Sequence, residues 1–164
     1  MRVAYADPPY IGQAKRHYRQ FGGTEVDHRL LVAQLELEYP DGWALSLSSP
    51  SLATILPMCP SDVRVMAWVK PFASFKPNVN PGYCWEPVIV RGGRPRTREQ
   101  DTVRDFISAN ITLQRGMPGA KPDAFCYWLF EVLNLQPGDE LADLFPGSGA
   151  VSRAWAKWQR RLVA

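Results

Sequence analysis

Close to the start of the chain, Ala6, Asp7, Pro8, Pro9 and Tyr10 set an acid, two prolines and an aromatic behind an apolar stretch. Pro8 and Pro9 have a fixed φ and no N–H. The Asp7 carboxylate and the Pro8 carbonyl therefore stand as acceptors with no adjacent donor competing. The Tyr10 ring can stack on a planar ligand. Two acceptors beside a π-face form a receptor for the exocyclic amino group of a nucleobase; the plainer reading is a turn whose Asp caps a backbone amide. Near the far end, the run DLFPGSGA over 143–150 carries Gly147 and Gly149 where a strand would turn into a helix. Missing side chains there let a ligand approach a helix N-terminus. It is GxG without the third glycine of the dinucleotide fingerprint, and GxxxxGK[ST] occurs nowhere, which argues against a Walker-type ATPase.

The elements that must position these residues are legible around them. Residues 2–6 (RVAYA) read as a buried strand stopped by the proline pair. Asp27 opens a helical pattern to Glu38, residues 43–48 and 63–70 read as strands, and 51–58 as a short helix. The segment 86–92 is a fourth strand with Pro87 near its start, and 122–135 is a strongly apolar helix opened by Pro122 and Asp123. After the PGD turn, 140–145 is a fifth strand and 150–162 a last helix. Strands alternating with helices predict an α/β layered fold with a largely parallel sheet, in which ligands bind beyond the carboxyl ends of the strands.

Asp-Pro-Pro-Tyr first and DLFPGSG last resembles the S-adenosylmethionine-dependent amino methyltransferases of nucleic acid bases, in their permuted β-type order. Residues 66–71 (MAWVKP), 85–92 (WEPVIVRG) and 121–151 (KPDAFCYWLFEVLNLQPGDELADLFPGSGAV) resemble that family too. The resemblance is strong over 1–12 and 121–152, looser over 40–95, and absent over 11–35 and 93–118. It implies a three-layer Rossmann-like methyltransferase fold, permuted and truncated, with the strand at 140–145 beside that at 2–6 and the strand at 86–91 antiparallel. It also implies methyl transfer from S-adenosylmethionine to a flipped-out base in DNA, most often adenine N6 and less often cytosine N4, with RNA open as a substrate. Asp7, Pro8, Pro9 and Tyr10 would be catalytic; Asp7, Lys121, Asp143, Phe145, Gly147, Ser148 and Gly149 would hold the cofactor.

An amino nitrogen on such a base is a poor nucleophile because its lone pair is delocalised into the ring. Acceptors at Asp7 and the Pro8 carbonyl would localise it, and the nitrogen would attack the methyl directly. No Pro-Cys motif stands by the site, which argues against cytosine C5 chemistry. The base would leave the duplex and be held on Tyr10.

Other features are less specific. The segment 91–104 holds five arginines, of which Arg94, Arg96 and Arg98 could meet phosphate or form a solvated loop. Together with 71–84, the stretch 93–118 is where target recognition would lie. Arg153, Lys157, Arg160 and Arg161 suit the C-terminal dipole of the last helix. Trp68, Trp128 and Trp155 read as core, and Trp85 as a base contact. His17 and His28 show no ligand spacing with Cys59, Cys84 and Cys126, so no metal is expected.

The bulk properties fit this reading. At 164 residues the chain reads as one domain, and a net charge of +3 permits a polyanionic partner without demanding one. Three cysteines without CxxC, and no apolar run of ~18 residues, point to a soluble protein with reduced thiols in a cytoplasm of bacterial or phage type. The chain ends fifteen residues after Gly149, before the acid that such folds place ~20 residues beyond the glycines for ribose. The expected sheet is therefore small, about five strands. Three outcomes stay open: a compact enzyme, completed by a second copy or a partner subunit; a non-catalytic subunit that binds nucleic acid or a partner; and a degenerate remnant.

Overall fold

A central strand, β1 (Arg2–Ala6), carries residues of both cores. Val3 and Tyr5 point to one side of the sheet, Ala4 and Ala6 to the other, as the period-2 alternation of a strand requires. In the computed structural model, which describes residues 1–12, 25–72, 77–112 and 120–163, β1 is followed by α1 (His28–Glu38) and β2 (Gly42–Ser46). Next come a 3-10 turn (Ser49–Ser51), α2 (Leu52–Ile55) and a second 3-10 turn (Leu56–Met58). The chain continues through β3 (Arg64–Val69), β4 (Trp85–Gly92), β5 (Phe106–Ser108), α3 (Asp123–Val132), β6 (Glu140–Asp143) and α4 (Ala150–Val163). Residues 13–24, with His17, lie outside the described residues, as do 73–76 and 113–119 of the two expected recognition segments.

The six strands form one sheet in the order β5-β3-β4-β2-β1-β6. β1 runs parallel to β2 and β6, and β3 parallel to β5, whereas β4 is antiparallel to both its neighbours. The expected antiparallel strand is therefore present, and its amino end arrives at the edge where the other five strands deliver their carboxyl ends. α3 and α4 cover one face, where Tyr5, Trp68, Phe125, Phe130 and Trp155 form the core. α1 and the 49–58 segment cover the other, around Leu35, Trp43, Ile55 and Ile89. This is the three-layer arrangement that an alternating α/β chain favours.

Local chemistry explains the boundaries. The Asp27 carboxylate accepts from the amides of Arg29 (3.0 Å) and Leu30 (3.1 Å) and so caps α1. α3 ends at Asn134 in the left-handed region (φ 51°), with the Leu135 amide reaching back to the Phe130 carbonyl at 3.0 Å. Two expectations need correction. The helix expected over 51–58 is divided into 3-10, α and 3-10 turns, because Pro50 and Pro57 supply no amide to a continuous ladder. The sheet has six strands rather than five: β5 lies inside the segment expected to be a recognition loop, pairing Phe106 with Ala67 and Ser108 with Val69.

Candidate active site at the carboxyl edge of the sheet

The two motifs are neighbours because their strands pair. In the parallel register of β1 and β6, Tyr5 stands opposite Asp143, and the Leu144 amide donates to the Tyr5 carbonyl at 3.0 Å. Pairing stops there. Pro8 and Pro9 offer no donor to extend the ladder, so the chain leaves the sheet at Asp7 while the other strand turns through 146–149 into α4. Gly147 (φ 47°) and Gly149 (φ 71°) both occupy the left-handed region. A Cβ on Gly147 would meet only the Phe145 carbonyl oxygen, at 3.8 Å, so the outer side of this turn is open to a ligand. Ser148 is partly exposed, and its carbonyl accepts from Arg153 Nη1 at 2.6 Å.

Lys121, just ahead of α3, connects the motifs. Its side chain is 4% exposed, yet its Nζ lies 3.1 Å from Asp7 Oδ1 and 3.0 Å from Glu86 Oε2, above the rings of Trp68 and Phe125. Glu86, second residue of β4, also pairs with Lys70, and the Tyr10 phenol stands close enough for the two groups to perturb each other. Two carboxylates and two ammoniums thus form a nearly buried cluster with no net charge, which is how a protein interior tolerates ionised groups. Among the described residues Asp7 Oδ2 and the Pro8 carbonyl carry no hydrogen bond. Beneath them the Tyr5 hydroxyl is tied to Ser46 Oγ at 2.8 Å.

The electrostatics follow from burial and from these partners. Burial raises the Asp7 carboxyl above the ordinary aspartate value; Lys121 opposes the rise and Glu86 adds to it. Burial alone would raise Glu86 as well, but Lys121 and Lys70 bring it down to about 2. Lys121, which burial would discharge, is held well above the ordinary lysine value by the carboxylates and phenols around it.

Across the strand pair, Asp143 Oδ2 accepts from Ser152 Oγ (3.2 Å), while its Oδ1 is buried without a hydrogen-bond partner among the described residues. Burial, and then the Asp7 charge, raise the Asp143 carboxyl. The Phe145 side chain packs against the core on the α1 side. A cavity of about 300 Å³ lies between the start of α3 and the start of α4, bordered by Lys121, Asp123, Ala150 and Arg153. The residues expected near the cofactor, Asp7, Lys121, Asp143 and the turn 145–149, therefore meet along one edge.

The arginine segment is placed differently. Arg94 makes a bidentate pair with Asp139 (2.8 and 3.0 Å) and donates to the Asn134 carbonyl; Arg96 binds the carbonyl and carboxylate of Glu131. Both guanidiniums satisfy the carbonyl end of α3, where such groups are electrostatically favoured. Arg98 is exposed and has no carboxylate partner among the described residues. Nor does the last helix use its cations as expected. Arg153 lies in its first turn, and Lys157 pairs with Asp123 at 2.9 Å; of that group only Arg160 and Arg161 stand in its last turn. Trp68, Trp128 and Trp155 are buried in the core, and Trp85 is exposed.

Sequence reasoning missed Glu86 and Lys70. The available signal was a carboxylate inside an otherwise apolar strand, Glu86 ahead of Pro87, Val88, Ile89 and Val90. What it pairs with depends on the register Trp68↔Glu86, which spacing along the chain does not show.

Two solved structures share this fold. A crystal structure of the M1.HpyAVI-SAM complex superposes with a TM-score of 0.64 at 14% identity, over 95% of this chain and 77% of that one. A crystal structure of M1.HpyAVI gives 0.58 at 13% identity, over 97% and 76%. No family model and no curated protein matches the sequence. At this identity the likeness is one of fold: a mixed α/β methyltransferase fold with a mostly parallel sheet.

Proposed function

We propose that the chain transfers a methyl group from S-adenosylmethionine to the exocyclic amino group of a base in DNA, most often adenine N6. The observation that carries this reading is the shared edge: free acceptors at Asp7 Oδ2 and the Pro8 carbonyl lie one strand from an open glycine turn and a buried, unpartnered Asp143 Oδ1. The fold likeness to the M1.HpyAVI-SAM complex supports the same class of chemistry.

The residues fit the cofactor. Asp143 Oδ1 is an unsatisfied acceptor suited to a cationic or hydroxyl donor, and a buried oxygen of this kind costs stability until it is met. Gly147 leaves its side of the turn open, whereas the Arg153 guanidinium lies over Gly149, and Lys121 borders the adjoining cavity. When bound, S-adenosylmethionine supplies an electrophilic methyl group on a sulfonium. Asp7 and the Pro8 carbonyl accept the two N–H groups of the base, which concentrates the nitrogen lone pair and orients it. Tyr10, beside Glu86, offers its ring to the extruded base. Lys121 opposes the rise that burial imposes on the Asp7 carboxyl. Of the three arginines first considered for phosphate, Arg98 alone offers an unengaged guanidinium.

Titration calorimetry with S-adenosylmethionine tests the cofactor half of the proposal. Micromolar binding that is lost in Gly147→Asp, which puts a carboxylate on the open side of the turn, is the expected outcome. Absence of binding by the wild type, alone or with DNA, would leave a non-catalytic scaffold.

A further inference from the structure

β4 is the one strand whose amino end reaches the carboxyl edge, and Glu86 sits at that end. From there its two oxygens bind Lys70 after β3 and Lys121 ahead of α3, and its charge bears on Tyr10 after β1. The side chain is 13% exposed, and both lysines lie over the face of Trp68, the residue paired with Glu86 in the sheet. Lys121 is thereby shared between two carboxylates. It meets Asp7 at Oδ1, 3.1 Å away, and among the described residues Asp7 Oδ2 accepts no hydrogen bond.

We propose that Glu86 is a positioning residue: by holding Lys121 on one side and standing beside the Tyr10 phenol on the other, it keeps one Asp7 oxygen open for the amino group and fixes the ring on which the base stacks. This rests on the methyl-transfer reading above. Without the Glu86 charge, Lys121 has Asp7 as its one remaining carboxylate and turns fully onto it, closing the acceptor. Tyr10 loses its charged neighbour at the same time.

The groups facing Asp7 are Lys121, Glu86, Lys70, Tyr5, Tyr10 and, from β6, Asp143. Burial holds its carboxyl up, Lys121 and Lys70 hold it down and Glu86 adds to the rise, while the Asp7 charge in turn raises Asp143. Glu86→Gln removes one negative charge and preserves the shape, so Asp7 must titrate at lower pH. A passive structural ion pair gives no reason for an accompanying change in turnover.

The experiment is a carbon-13 NMR titration of Asp7 in wild type and Glu86→Gln, without cofactor or substrate, beside steady-state methyl transfer to an adenine-containing oligonucleotide. The proposal expects the Asp7 midpoint to fall by about one unit. It expects kcat to drop about a hundredfold, with the dissociation constant for S-adenosylmethionine unchanged within about threefold. An unmoved Asp7 midpoint, or a kcat within about twofold of wild type, overturns it. Should Glu86→Gln not fold, Tyr10→Phe keeps all four charges and decides instead. It should raise KM for the oligonucleotide about fivefold or more, and unaltered kinetics would overturn the proposal. If the wild type transfers no methyl group while the Asp7 midpoint shifts as expected, methyl transfer fails and the electrostatic role of Glu86 stands.

Discussion

Replacing Lys121 by Met tests the charged cluster most sharply. Met keeps an unbranched apolar stem over Trp68 and Phe125, so packing is largely conserved and the change is one of charge. Two carboxylates then share Lys70, which contacts Glu86, and Asp7 has no cation beside it. Breaking a buried ion pair by removing one partner costs about 3–5 kcal/mol. The Asp7 side chain is 22% exposed, which puts this case near the lower bound, about 3 kcal/mol. For a chain of this size that corresponds to a fall in Tm of roughly 6–12 °C. The loss must also depend on pH. A stranded carboxylate has a folded pKa above its unfolded value, so its stabilising contribution is present at low pH and disappears as pH rises through the folded pKa. Guanidinium unfolding of wild type and variant at pH 5 and pH 8 measures this. The deficit should be full at pH 8 and clearly smaller at pH 5. An equal deficit at both values, or no deficit at pH 8, would refute the electrostatic reasoning.

The other perturbations separate structural charge from binding charge. Arg94→Ala should cost about 2 kcal/mol in urea unfolding, because it takes a bidentate guanidinium from Asp139, whose side chain is 4% exposed, and leaves it the Met1 ammonium and the Gln136 amide. It should leave the salt dependence of DNA binding unchanged. Arg98→Ala should do the reverse, with stability within about 0.5 kcal/mol of wild type and the salt slope of DNA binding reduced by about 1. Glu86 is held at about 2 in the fold, below its unfolded value of about 4.3. Its contribution is therefore present above that unfolded value and is lost as pH falls towards 2, which acid unfolding of wild type against Glu86→Gln would show as a shallower decline in the variant.

Much of this architecture was legible in the chain because its signals are local. Residues 2–6 and 140–145 read as short strands, the second of which ends earlier, at Asp143, and the proline pair and glycine turn beyond them mark where each leaves the sheet. β5 was not legible. Three residues following a segment rich in Arg, Pro and Gln show no alternation, and β5 exists because β3 offers it an open edge. The arginines misled for a related reason. A charge run looks the same whether it faces water or a helix end, and the partners that tie Arg94 and Arg96 to the end of α3 and the turn after it, Glu131, Asn134 and Asp139, lie 35 and more residues away. Gly93 shows the same dependence on tertiary structure. Its φ of 90° is required because a Cβ there would stand 3.0 Å from the Leu133 backbone, where the end of β4 passes the end of α3. Glu86 is the clearest case, since an acid at the start of an apolar strand gains meaning only once β4 is known to run against its neighbours.

The central claim is that Asp7 and the Pro8 carbonyl present a base amino group to a methyl donor held at the 143–149 turn. A mass-spectrometric nucleoside digest of DNA incubated with the protein and S-adenosylmethionine tests it most directly. N6-methyladenine formed by the wild type and absent with Asp7→Ala is the predicted result. Methylated nucleoside formed equally by both proteins, or by neither, would contradict it.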